Sequence, residues 1–241
     1  VLALLSGVSL ALSFPRWELS LLAFIALTPL FFACKGQTPK TSFSLGWWMG
    51  LVYFVGTLSW VTISMHQYGG LPWAASYFFM LLLAAYLAVY VGLFTLLLSF
   101  SKNNLLGLAP IFWTALEYLR GHLLTGFPWN ALGYSQYRNL PLIQIADIAS
   151  VYGISFLIVF VNAAIFLIIE TAWNKKTLAK YSAVSLLAVL VVVLGYGQIR
   201  LSQPMGNGKT IDIAVIQGNI DQSVKWSPAV RETTVSKYER L

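Results

Sequence analysis

The chain of 241 residues has little charge, one cysteine and only 8 acidic side chains. Charged residues make up 10% of it, against roughly a quarter in an ordinary soluble domain, and that scarcity excludes such a domain. One cysteine, Cys34, excludes an internal disulfide framework and a Cys-rich metal centre. No repeat or low-complexity tract stands out. His66 and His122 have no carboxylate or Cys partners at ligand spacing, so they read as interfacial side chains, with no metal and no cofactor implied.

What is there is apolar sequence: 58% hydrophobic residues and a mean hydropathy of +0.74. Runs approach or exceed the roughly 20 residues needed to cross a bilayer. The pattern predicts about seven spans, at Val1–Phe14, Trp17–Cys34, Phe43–His66, Pro72–Phe100, Leu105–Leu123, Val151–Trp173 and Leu178–Ile199. The first is short for a crossing and residue 1 is not Met, so the true N-terminus is expected upstream. A cleaved signal peptide is the rival reading of that segment, but no small-residue cleavage pattern follows it.

The net charge of +7 does not point to nucleic acid. Lys35, Lys40, Lys102, Lys175, Lys176 and Lys180 fall in alternate loops, whereas the opposite loops hold the uncharged Tyr68-Gly69-Gly70 and the mutually cancelling Arg16 and Glu18. The positive-inside rule makes the lysine loops cytoplasmic and sends the chain after Ile199 outward. Trp17, Trp73 and Trp129 are expected at the outer interface, and Trp47, Trp48 and Trp173 at the inner one.

The apolar bundle, residues 1–203, gives way to a polar tail, 204–241. Ile211–Ile216 alternates as a buried strand does, and Ser227-Pro228 opens a polar helix still running at Leu241. The 38 residues of the tail fall below the roughly 40 that an independent core needs. The tail is thus a stub or, the favoured reading, the first βα step of a larger soluble domain. The loop carrying Trp226 would follow the strand's C-terminal end, where sites gather in sheets flanked by helices.

The segment from Leu124 to Ser150 is long and apolar for a loop, with Gly126, Phe127, Pro128, Trp129 and Gly133. Pro128 pushes Phe127 out of helical geometry, and Leu142, Ile145 and Ile148 recur as on a helix lying along the interface. Irregular backbone near membrane depth is tolerated where it lines a cavity or is covered by protein, so a pocket or docking platform is expected there. Just before it, Glu117 and Arg120 share a helix face in the outer third of their span. The plain reading is a mutual ion pair at the helix end. The functional one has Arg120 holding a lipid phosphate through its guanidinium fork. Asp147 and Glu170 read as interfacial and span-end charges. Gly133-Tyr134-Ser135-Gln136-Tyr137 shares half of a nucleophile elbow but lacks its closing Gly and strand–turn–helix setting, which discards Ser135 as a nucleophile.

The run Leu124-Thr125-Gly126-Phe127-Pro128-Trp129-Asn130-Ala131-Leu132-Gly133-Tyr134-Ser135-Gln136 resembles the signature of bacterial apolipoprotein N-acyltransferases. Ser59-Trp60-Val61, Leu82–Leu87, Glu117–Gly121 and Val215–Ile220 through Lys225-Trp226 follow in the family's order, so the resemblance covers essentially the whole chain. It implies a multi-pass bundle in the bacterial inner membrane followed by the start of a periplasmic nitrilase-like α-β-β-α domain. It further implies transfer of an acyl chain from a phospholipid donor to the α-amine of a diacylglyceryl apolipoprotein through a Cys thioester, with a Glu and a Lys completing the triad. No catalytic residue is expected within this chain, and Cys34 is not that thiol. Glu117, Arg120, Gly126, Phe127, Pro128, Trp129, Gln136 and Trp226 are the implied substrate- and lipid-binding positions. A small transporter with a periplasmic appendage is the alternative from another class, and a membrane-anchored carbon–nitrogen hydrolase a further one. The first lacks the expected repeat and midplane helix breaks.

Overall fold

A computed structural model describes residues 1–101, 104–172, 176–204, 211–221, 224–225 and 227–240. Lys102, Trp173, Lys175, the side chain of Lys176, Trp226 and Leu241 lie outside the described residues. The fold is helical. In chain order it comprises α1 (Leu2–Leu12), α2 (Ala23–Ala26), α3 (Thr28–Cys34), α4 (Pro39–Thr57), α5 (Ser59–Ile63), α6 (Trp73–Phe100), α7 (Leu105–His122), α8 (Leu140–Ile143), α9 (Ala146–Thr171), α10 (Lys176–Ser202) and α11 (Arg231–Glu239). Helix occupies every segment expected to span, yet among the described residues three helices are long and apolar enough to cross a membrane, or four if the bent α4–α5 unit is one crossing.

Small residues let the helices approach. On α4, a Cβ added to Gly50 would lie 3.0 Å from Ala88 Cα of α6, and one on Gly46 would strike Thr95 and Val91. Gly7 of α1 meets the Met49 carbonyl of α4 in the same way. This Gly-x-x-x-Gly spacing is a common basis of helix association in lipid, where packing replaces the hydrophobic drive.

Two expected single spans are broken. The second divides at Leu27, just before Pro29 at the start of α3, and Asn162 of α9 closes the gap. Its Oδ1 accepts from the backbone N–H of Leu27 (2.8 Å) and Thr28 (3.1 Å), while its Nδ2 donates to the Ala23 (2.8 Å) and Ile158 (2.9 Å) carbonyls. The Ser6 hydroxyl donates to the Ala26 carbonyl freed by the same break. In an apolar medium each backbone group left open is expensive, so a buried Asn is what makes this break tolerable. The third span bends by 53° between α4 and α5. Thr57 Oγ1 donates back to the Tyr53 carbonyl (3.0 Å), a bond that tends to bend helices. A π turn over Ser64–Tyr68 follows, and α6 starts after Pro72, as its position predicts.

The loops gather at two ends. Lys35 pairs with Glu170 (3.0 Å) at one, the lysine end. At the other, the loop end, Glu18 pairs with Arg138 and accepts from the Tyr137 hydroxyl (2.9 Å), while Arg16 donates to Ser59 Oγ (3.1 Å). Arg16 and Glu18, whose charges cancel in that loop, are each engaged across the loop end. Trp17, Trp73 and Trp129 are exposed at this end. Trp47 sits midway along α4, half-buried, with its indole N–H on the Ala85 carbonyl (3.1 Å).

The expected strand is absent. Residues 211–220 have no regular secondary structure, and Ile211, Ile213 and Val215 are exposed. A strand exists only by hydrogen bonding to a neighbour, and among the described residues none supplies that edge. The polar helix does form, as a 3-10 turn at Pro228–Val230 leading into α11, without a side-chain cap from Ser227.

Candidate functional site

The site is built where α7 ends. Asn104 caps its start, accepting from Gly107 N–H (3.2 Å), and the helix stops at His122. Leu124, Thr125 and Gly126 then adopt positive φ (51°, 75° and 79°). This left-handed run reverses the chain so that Phe127 N–H returns to the Arg120 carbonyl (2.9 Å). A Cβ on Gly126 would strike the Gly121 carbonyl, so both its φ and its surroundings require glycine.

Glu117 and Arg120 are 6% and 5% exposed, and Arg120 Nη2 stands 3.8 Å from Glu117 Oε1. That separation is long for a pair, because both groups face the returning loop. Glu117 Oε1 accepts from Leu132 N–H (2.7 Å) and from the Trp113 indole (3.3 Å). Arg120 Nη2 donates to the Asn130 carbonyl (3.1 Å), which also accepts from the Tyr53 hydroxyl (2.9 Å). Asn130, at φ 58°, closes the circuit by donating from Nδ2 to Thr57 Oγ1 (2.9 Å) at the α4–α5 bend. The guanidinium lies over the Phe54 ring, 5.2 Å from its centroid. A carboxylate acceptor, a cation, the Tyr53 hydroxyl donor and the Thr57 hydroxyl acceptor thus grip two loop residues, Asn130 and Leu132.

The space beside this clamp is small, about 20 Å³, lined by Tyr53, Phe54, Tyr90, Glu117, Arg120 and Asn130. That is room for a single water and not for a phosphate group. Arg120 Nη1, also buried, has no hydrogen-bond partner among the described residues. In this arrangement Arg120 holds the loop.

The outer side of the loop is aromatic. Phe127 packs against Trp129 (5.4 Å between ring centroids), and Trp129 against Trp60 (6.2 Å). Pro128, Trp129, Tyr134 and Tyr137 are exposed. Gln136 is fully buried instead, donating to the Ser20 carbonyl (2.8 Å) and to Ser135 Oγ (3.0 Å), and so ties the loop to the broken second segment. Ser135 is buried with its hydroxyl on the Leu132 carbonyl (2.8 Å), a structural placement. Glu117, Arg120, Gly126, Phe127, Pro128, Trp129 and Gln136 are therefore brought together in one unit, divided between a buried clamp and an exposed surface.

Sequence reasoning overlooked Asn130, Tyr53, Thr57 and Asn162. The signal for Asn162 was available, since an amide inside an otherwise apolar span needs a partner. The roles of Tyr53 and Thr57 depend on a bend that composition does not announce. His66 and His122 use Nδ1 on the Leu71 (2.7 Å) and Tyr118 (2.8 Å) carbonyls and stack on Trp73 and Tyr118.

Beside the loop, Asp147 accepts from the Tyr196 hydroxyl (2.8 Å) and from Arg200 Nε (2.9 Å), both on α10. A Cβ on Gly197 would strike the Pro141 carbonyl of α8. The last turns of α10 are locked against the loop segment.

The sequence profile described as the apolipoprotein N-acyltransferase N-terminal domain matches residues 6–164, which contain the clamp and the whole aromatic loop. Proteins named apolipoprotein N-acyltransferase are similar along the chain. Identity is 47% over 247 residues for that of Geobacter metallireducens, covering 100% of this chain and 47% of the relative. It is 37% for that of Shewanella oneidensis and 33% for that of Haemophilus influenzae, each with 100% of this chain and 46% of the relative covered. The chain thus spans about half the length of the curated relatives it matches. With the match extending over the clamp, the loop and most of the bundle, this chain belongs to the apolipoprotein N-acyltransferase N-terminal domain family.

Proposed function

We propose that the chain is the membrane part of an acyltransferase that moves an acyl chain from a phospholipid to the α-amino group of the N-terminal diacylglyceryl cysteine of an apolipoprotein. The protein crosses the bacterial inner membrane seven times, with the lysine end in the cytoplasm and the loop end facing the periplasm. Residues 204–241 begin a nitrilase-like domain, whose Cys takes up the acyl group as a thioester while a Glu and a Lys complete the triad. Those three residues lie outside residues 1–241. Cys34 sits beside the Lys35–Glu170 pair, at the end away from the loop.

The observation that carries this reading is an aromatic, exposed loop held rigidly from below by a buried charged clamp. Phe127, Pro128 and Trp129 contact the lipid. Glu117, Arg120, Gly126 and Gln136 act through the loop as positioning residues, and Trp226 belongs to the same proposed substrate-binding set. A lipid presented at this surface keeps its chains in the bilayer, avoiding about 0.8 kcal/mol for each CH₂ exposed to water.

The test is Arg120→Ala in the complete enzyme, with Arg120→Lys and Trp129→Ala beside it. Arg120→Ala should lower kcat by at least about tenfold, the effect of losing one charge-assisted hydrogen bond. Trp129→Ala should raise the KM for phospholipid more than it lowers kcat. Unchanged transfer rates and phospholipid affinity in Arg120→Ala would remove the clamp from the mechanism.

A further inference from the structure

The aromatic surface at the loop end is assembled from two separate stretches of chain. Phe127 and Trp129 belong to the loop, whereas Trp60 belongs to α5, just beyond the 53° bend. Trp60 is 42% exposed, and its ring centroid lies 6.2 Å from that of Trp129. α5 has five residues, too few to fix its direction by its own hydrogen bonds. α4 before the bend is seated on α6 through Gly46 and Gly50. The place of Trp60 against Trp129 is therefore set by the contacts that join the bend to the loop.

Asn130 receives two such contacts from α4. Tyr53 donates to its carbonyl (2.9 Å) from one turn before the bend, which fixes the loop to the straight part of α4. Thr57 is the last residue of α4 and stands at the bend itself. Its hydroxyl donates to the Tyr53 carbonyl (3.0 Å) and accepts from Asn130 Nδ2 (2.9 Å). A hydroxyl has one proton and two lone pairs, so both bonds are made at once. One group thus bends the helix and ties the bend to the loop. A further tether of α5, from Arg16 Nη1 to Ser59 Oγ (3.1 Å), is exposed and competes with water, so it is the weaker hold.

We propose that Trp60 is a further lipid-contact residue of the loop-end surface and that Thr57 is its positioning residue. The proposal rests on the acyltransferase reading and adds a second element to its lipid surface. The clamp at Glu117 and Arg120 places Trp129, and the Thr57 hydroxyl places Trp60 beside it. Loss of that hydroxyl leaves the Glu117–Leu132 and Arg120–Asn130 contacts in place and frees α5 to swing Trp60 away from Trp129.

Thr57→Val in the complete enzyme tests this, since valine matches the shape of a half-buried threonine and removes only the hydroxyl. The KM for phospholipid should rise about fivefold with kcat held, the effect of one net hydrogen bond. Thr57→Ser, which keeps the hydroxyl, should behave as wild type. Trp60→Ala should raise KM at least as far, and adding Thr57→Val to it should raise KM no further. A readout independent of activity is the fluorine spectrum of protein labelled with 5-fluorotryptophan. Its Trp129 line, identified by Trp129→Phe, should shift in Thr57→Val as it does in Trp60→Phe and stay in place in Thr57→Ser. An unchanged KM in Thr57→Val, a fall in kcat alone, additive effects in the double variant or an unmoved Trp129 line each overturn the proposal. Absence of transfer by the wild type defeats the acyltransferase reading instead, while the Trp129 line still decides whether Thr57 positions Trp60.

Discussion

At the loop end, Glu117 and Arg120 are buried in about 20 Å³ of free space and spend their hydrogen bonds on Asn130 and Leu132. At the lysine end, the residues around a cavity of about 530 Å³ include Ser42, Ser101 and Ser182, whose buried hydroxyls have no partner among the described residues. The contrast separates two uses of polar groups in an apolar bundle. Where charges are engaged by loop backbone they fix a shape, whereas the hydroxyls at the lysine end fix none among the described residues.

Substitutions that sharpen this contrast should hurt at one end and be tolerated at the other. Glu117→Ala should have the largest effect, about 3–5 kcal/mol, because it strands a buried guanidinium and frees the Leu132 N–H. Thermal unfolding in detergent measures it, and Glu117→Gln should recover part of the loss. Asn162→Ala, between the two ends, should cost about 1–3 kcal/mol and make the chain near Leu27 sensitive to protease. Gly126→Ala should cost about 1–2 kcal/mol through its positive φ and the Gly121 carbonyl. The fluorescence of loop-end tryptophans such as Trp129 should shift with it. Ser182→Ala should change stability by no more than about 0.5 kcal/mol, since its hydroxyl satisfies nothing within the described residues. A loss at Ser182 as large as that at Glu117 would break the comparison.

Much of the bundle was legible in the sequence, because hydropathy reports long apolar helices directly and Pro72 marks the start of α6. The special character of 124–150 was legible too, from Gly126, Pro128 and an apolar loop where a polar one is usual. The breaks at Leu27 and Leu58 were not, since they depend on Asn162 and Thr57 satisfying backbone groups at a distance. The direction of Arg120 was equally hidden: spacing places it on one face with Glu117 but cannot say that Asn130 would claim it. The alternation at Ile211–Ile216 describes a preference for a sheet, and a preference becomes a strand only when a neighbour is present.

The lock between α10 and the loop segment, through Gly197, Tyr196 and Arg200, makes the point where the chain leaves the bundle stationary. Whatever follows Ser202 thereby starts from a fixed point beside the aromatic surface, so its encounters with that surface are intramolecular. Individually feeble contacts are then enough to seat it, and it can lift away and return many times without being lost to solution.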